Sequence, residues 1–197
     1  MLLTLNVMEN VPLMGIQTGR RLGAIGDPII NPNNLQVVAW YVTGNMVGFS
    51  PAVIFSEDIH ELGHLGAIVD SADSILPLDN LVRLQEILDY NFSLHNLPVF
   101  DDTKRKLGTV ESFNFDSDDF LIKQIIVKPS LGVRLTASQL IIARSQIIEI
   151  NNKKIIVSSN AQINSTEKKS TLKKPKIKRA KRTRRPTANP IPETKRV

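Results

Sequence analysis

The chain has 197 residues and no cysteine, which excludes disulfides, thiolate metal sites and cysteine nucleophiles. Its formal charge of +6 is unevenly divided: residues 167–197 hold 13 Lys/Arg against 2 Glu, a net +11, and the remainder carries −5. A mildly acidic folded body with a strongly basic tail is the expectation, and no run approaches the roughly 18 apolar residues of a membrane span.

Residues 1–8 read as a first strand, too short and too poor in basic residues for a signal peptide, so the cytoplasm is the expected compartment. The apolar run at 11–16 pairs with Leu22-Gly23-Ala24-Ile25 across a polar turn at 17–21, as a β-hairpin. Asn31-Pro32-Asn33-Asn34 is a second turn, because Asn tolerates left-handed φ and Pro presets the first turn angle. The strand at 35–42 follows, with Trp40 in the core and Tyr41 at its rim. After a turn at 43–45, Ala52-Val53-Ile54-Phe55 and Ala67-Ile68-Val69 are two more strands. Residues 77–91 break the β pattern. Leu78, Leu81, Leu84 and Leu88 recur at helical spacing, which predicts a helix with Asp79 as its N-cap. Its apolar stripe would pack across the end of one β unit or between two.

The chain then repeats itself. Thr103-Lys104-Arg105-Lys106-Leu107-Gly108-Thr109-Val110 answers Thr18-Gly19-Arg20-Arg21-Leu22-Gly23-Ala24-Ile25, 85 positions upstream, and each follows a Pro-headed apolar segment. At the same offset Asn31-Pro32-Asn33-Asn34 falls on Asp116-Ser117-Asp118-Asp119, and the strand at 35–42 falls on 120–127. Residues 59–69 match 147–157 at an offset of 88, with the three extra residues in the loop at 128–138. Matched turns and spacing along a whole unit define a duplicated architecture.

An apolar strand, a basic turn, Leu-Gly-x-Val/Ile, a strand, an acidic or Asn turn, an aliphatic strand and a Ser-x-x-Ile ending together resemble the PRC-barrel family. That small β-barrel occurs in the reaction-centre H subunit and in the C-terminal half of RimM-type ribosome maturation factors. The resemblance spans about 1–70 and 92–159, and Arg144-Ser145-Gln146-Ile147-Ile148-Glu149-Ile150 resembles the closing segment of the family. Gly26 and Pro28 depart from Glu111 and Phe113 of the second copy, so a local distortion is expected there. The resemblance implies a mainly β chain, with a first PRC-like barrel over 1–75 and a second over 92–160; the helical spacing adds a linking helix over 76–91, and the charge run, with nothing apolar to bury, a disordered basic tail over 161–197. The resemblance also implies a binding or assembly module with no catalytic residue to carry over.

His60-Glu61-Leu62-Gly63-His64 is a literal HExxH, the spacing that on a helix places two imidazoles on one zinc with Glu as base. Gly63 and Gly66 each weaken a helix by about 1 kcal/mol. The equivalent Ile148-Glu149-Ile150-Asn151-Asn152 reads as strand and turn. A β-hairpin with solvent-facing imidazoles is therefore expected, and a zinc hydrolase is a distant third reading. Asp116-Ser117-Asp118-Asp119 lacks the further Gly and Glu of a calcium loop and reads as a solvated turn. No phosphate loop, catalytic triad or cofactor signature is present, so no enzymatic activity is expected. The partner signal lies in the tail. Lys173, Lys174, Lys176, Lys178, Arg179, Lys181, Arg182, Arg184 and Arg185 are nine cations within fourteen positions. Such a segment neutralises phosphates through counterion release without sequence preference. RNA or a ribonucleoprotein is the expected partner of the tail, and protein that of the barrels. The alternative is a membrane-surface assembly protein, since anionic lipid attracts the same charge.

Overall fold

The computed structural model describes residues 1–8, 10–44, 47–131, 138–159 and 164–165. The strands are β1 (Leu2–Thr4), β2 (Pro12–Gly15), β3 (Arg20–Asn31), β4 (Gln36–Thr43), β5 (Ala52–Phe55), β6 (Glu61–Gly63), β7 (Gly66–Val69) and β8 (Leu76–Pro77). The one α-helix among the described residues, α1 (Val82–Asp89), leads to β9 (Pro98–Asp101), β10 (Lys106–Asp116), β11 (Ile122–Pro129), β12 (Leu140–Ala143), β13 (Ile147–Ile150), β14 (Ile155–Val157) and β15 (Asn164–Ser165).

The strands form two sheets of one design. The first has the order β6-β7-β2-β3-β4-β5-β8 and the second β13-β14-β9-β10-β11-β12-β15, with β1 added to β10. The ladders agree rung by rung. Leu13 pairs with Gly23 as Val99 pairs with Gly108, and Ile25 with Val42 as Val110 with Val127. The parallel pairs Leu13–Ala67 and Val99–Ile155 match as well. In both hairpins the register slips at the Leu of the Leu-Gly pair, which turns Leu22 and Leu107 into the core. The distortion expected at Gly26 and Pro28 is a lost rung: Ser112 pairs with Ile126, whereas pairing in the first copy jumps from Ile25 to Pro28.

Consecutive strands β12 and β13 lie on opposite sides of five inter-strand spacings, yet only Arg144–Gln146 separates them. Four residue steps reach about 14 Å, whereas the two strands would stand about 24 Å apart in a flat sheet. The sheet must therefore curl. Among the described residues neither sheet is closed by hydrogen bonds, so the architecture is two curled sheets and not two closed barrels.

The helix differs from its expected form. Leu76–Pro77 is held as a strand against β5, and Leu78–Asn80 is a 3-10 turn whose first N–H donates to the Pro51 carbonyl. The α-helix starts only at Val82, its N-cap is Leu81, and Asp79 caps nothing. Leu84 packs with Ile29, Ala39, Val53 and Leu78 on the outer face of the first sheet. Burial there outweighs the missing polar cap.

The two halves share one core. A continuous buried cluster runs from Leu13, Val37 and Trp40 through Phe115 and Phe120 to Val127 and Val157. Trp40 of β4 lies 5.5 Å from Phe115 of β10, ring centre to ring centre. Beside these rings Val37 N–H donates to the Phe120 carbonyl and Ile122 N–H to the Leu35 carbonyl, each at 2.9 Å. Since 37 corresponds to 122 and 35 to 120, the two bonds are related by a pseudo-twofold axis through the bridge Gln36–Leu121. Leu35 and Phe120 both adopt left-handed backbone, at φ 52° and 55°. That costs a branched or bulky residue about 1–2 kcal/mol. Burial of both side chains in the shared core offsets it. Sequence reasoning placed the left-handed residue among the asparagines; the Asn31 and Asn34 side chains instead accept the N–H groups of Asn33 and Gln36.

The leading arms are exchanged across the same axis. β1 joins the second sheet, pairing Leu3 with Phe115, although it is the first unit that follows it. At the offset of 86 that relates Pro12-Leu13-Met14 to Pro98-Val99-Phe100, the counterparts of 2–4 are 88–90, the end and C-cap of α1, which packs on β3 of the first sheet.

Candidate functional site

The nine predicted cations of the tail, from Lys173 to Arg185, lie outside the described residues. His60-Glu61-Leu62-Gly63-His64 is strand and turn: Glu61–Gly63 is β6, both imidazoles are exposed, and His60 Nε2 lies 2.9 Å from Asp70 Oδ1. The helical face that HExxH requires is absent from this segment. His95 is in the other half, its Nδ1 3.0 Å from the Glu111 carbonyl oxygen. Among the described residues no three His, Asp or Glu are placed to share a metal ion. The acidic turn reproduces its Asn-rich counterpart, with Asp116 and Asp119 accepting the N–H groups of Asp118 and Leu121. Trp40 is fully buried and Tyr41 packs beside the helix-covered cluster.

Where the copies differ most is on the outer face formed by β13, β14, β9 and β10, compared with β6, β7, β2 and β3. The register places Glu149, Ile156, Phe100 and Lys106 side by side across four strands, and their counterparts are Glu61, Ile68, Met14 and Arg21. Around this shared row the copies differ at four positions. Leu65, 93% exposed, precedes Gly66 at one end of the β2–β7 pair, and Ile16, 59% exposed, lies with the Gly19 turn at the other. The second copy has Lys153, Asp102, Lys104 and Lys154 at those positions. There Phe100, Ile156, Lys104, Lys154, Asp101 and Asp102 line a cavity of about 350 Å³.

The carboxylates of this cavity are occupied. Asp101, 3% exposed, accepts from Thr103 Oγ1 at 2.6 Å, Arg105 N at 2.8 Å and Arg105 Nε at 3.0 Å. Asp102 accepts from Ser159 Oγ at 3.2 Å. Among the described residues neither lysine ammonium has an ion-pair partner. Lys104 itself sits at φ 67°, where the first copy has Gly19 at φ 62°. The sequence alone marks the basic turn only as part of the repeated hairpin. It does not reveal Lys154, which the parallel β9–β14 pairing brings in from 50 positions away.

The Thr103 hydroxyl, with the Arg105 N–H and guanidinium, holds the Asp101 carboxyl below its ordinary value. A carboxyl whose folded value is lowered stabilises the protein above its unfolded value of about 3.9, and that contribution is lost as pH falls through the folded value. Asp101→Asn is therefore expected to flatten the fall of stability below about pH 4, measured as denaturation midpoints from pH 6 to pH 2.5. An unchanged acid limb would show that Asp101 contributes nothing there.

No protein-family model matches this chain, and no curated protein does either. No helix is long and apolar enough to cross a membrane.

Proposed function

We propose that this chain is a non-enzymatic adaptor built from two tandem PRC-like units, each a curled sheet, with a basic tail that contacts RNA or a ribonucleoprotein in the cytoplasm. The observation that carries the reading is the separation of charge, +11 in residues 167–197 against −5 in the body. Steered, salt-sensitive attraction to a polyanion follows from that separation. The PRC-like half is supported by the repeated ladder order, and the exposed Ile16 and Leu65 are apolar side chains open to a protein partner.

Removing residues 167–197 is expected to abolish most of the salt-sensitive RNA binding in a titration between 50 and 200 mM salt. A single-strand complex has a slope of about −0.7 per phosphate contact, so loss of the tail flattens the salt dependence. Binding that survives the truncation unchanged rules the reading out. Cosedimentation with anionic vesicles, without RNA binding, favours a membrane-surface assembly protein instead.

A further inference from the structure

We infer that the cavity between Lys104 and Lys154 is a binding site for one nucleotide unit of single-stranded RNA, its base on Phe100 and its phosphate between the two ammonium groups. The first repeat serves as an internal control for what the fold needs. In the first copy Gly19 holds the corresponding turn position and Gly66 the corresponding strand start, beside ladders of the same order, so neither lysine is required to build the sheet. Lys104 is moreover in a left-handed conformation that glycine adopts without penalty, whereas a side chain there costs about 1–2 kcal/mol. A residue kept where the backbone disfavours it points to a role outside folding.

The surroundings define the ligand. Phe100 and Ile156, neighbours in the parallel pairing, are half-buried and form an apolar floor with one aromatic ring. Lys104 and Lys154 rise beside it, and Lys106 and Lys153 are exposed nearby in sequence and register. Both carboxylates are already bonded within the protein, Asp101 to Thr103 and Arg105 and Asp102 to Ser159. Three bonds into the buried Asp101 carboxylate hold the Lys104 turn before any ligand arrives. An aromatic platform flanked by unpaired cations is the arrangement that binds single strands, stacking one base and neutralising the adjoining phosphate. The choice of RNA over another anion rests on the function proposed above; the site itself does not depend on the tail.

The test uses the full chain and a fluorescein-labelled oligouridylate of about 12 nucleotides, a length within the usual site size of such folds. Phe100→Leu keeps the floor apolar but removes the ring, and is expected to weaken binding by about 5- to 150-fold. Lys104→Gln with Lys154→Gln is expected to reduce the salt slope by about 1.4, or 0.7 per lysine. Lys104→Gly is expected to weaken binding while leaving Tm unchanged or higher, which separates ligand contact from folding. Unchanged affinity and slope in these variants would overturn the site, whether or not the tail truncation abolishes binding. Conversely, weakening here with no effect of the truncation would support the site and overturn the tail. Weaker binding to phosphatidylserine-containing vesicles, with RNA binding untouched, would overturn the choice of ligand.

Discussion

Gly108→Ala is expected to destabilise the protein by about 3 kcal/mol, the upper end of the usual range for forcing extra volume into a packed site. A Cβ on Gly108 would lie 2.0 Å from the Lys128 carbonyl oxygen and 2.9 Å from both the Lys128 carbonyl carbon and Val127 Cγ1. Two of those atoms belong to the partner strand's backbone, so β10 and β11 must separate where Gly108 faces Pro129 and Thr109 faces Lys128. Gly23 makes the same close approach to Thr43, with its Cβ 2.7 Å from the carbonyl oxygen. Gly23→Ala should act in the same direction and less strongly. Urea denaturation measures both, as midpoints lowered at unchanged slope. Wild-type midpoints would show that the Leu-Gly glycines are not demanded by the approach of the strands.

The second large effect concerns the junction. Phe115→Ala is expected to cost about 3–5 kcal/mol, as for other fully buried aromatic side chains. Phe115 contacts Trp40 across the junction and Phe113 and Phe120 within its own half. Trp40 is the chain's sole tryptophan and stands in the opposite sheet, so its fluorescence reports the half that was not mutated. With one continuous core, the Trp40 transition should shift down with the change at Phe115 and coincide with the loss of β-structure by circular dichroism. Were the halves independent, Trp40 would unfold at its wild-type midpoint.

Much of the fold was legible because its signals are local. The Leu-Gly pairs, the Asn and Asp turns and the offsets of 85 and 88 are read from neighbouring residues, and the ladders carry the same correspondence. The HExxH spacing was outweighed by Gly63, by Gly66 and by the strand-like second copy, and Glu61–Gly63 is indeed a strand. The helix was misjudged at its start because the bond from Leu78 N–H to Pro51 and the burial of Leu81 and Leu84 come from outside the segment. Closed barrels were expected from a resemblance, and the structure has two curled sheets whose edges remain unpaired among the described residues.

The candidate site divides along the same line. Lys104 lies in the stretch that first revealed the duplication, yet its left-handed backbone, its bracing by Asp101 and its proximity to Lys154 are invisible in one dimension. The sequence by itself determined that there are two equivalent units, where their turns fall, and that positive charge gathers at one end. Only the tertiary structure decided that the units share a core, exchange their leading arms and hold Leu35 and Phe120 in strained backbone at their junction. The physical reason is separation along the chain. Turn chemistry and strand alternation act over a few residues, whereas the contacts of Leu3 with Phe115 and Trp40 with Phe115, and the cavity that Lys104 and Lys154 both line, bring together positions from 50 to over 100 apart.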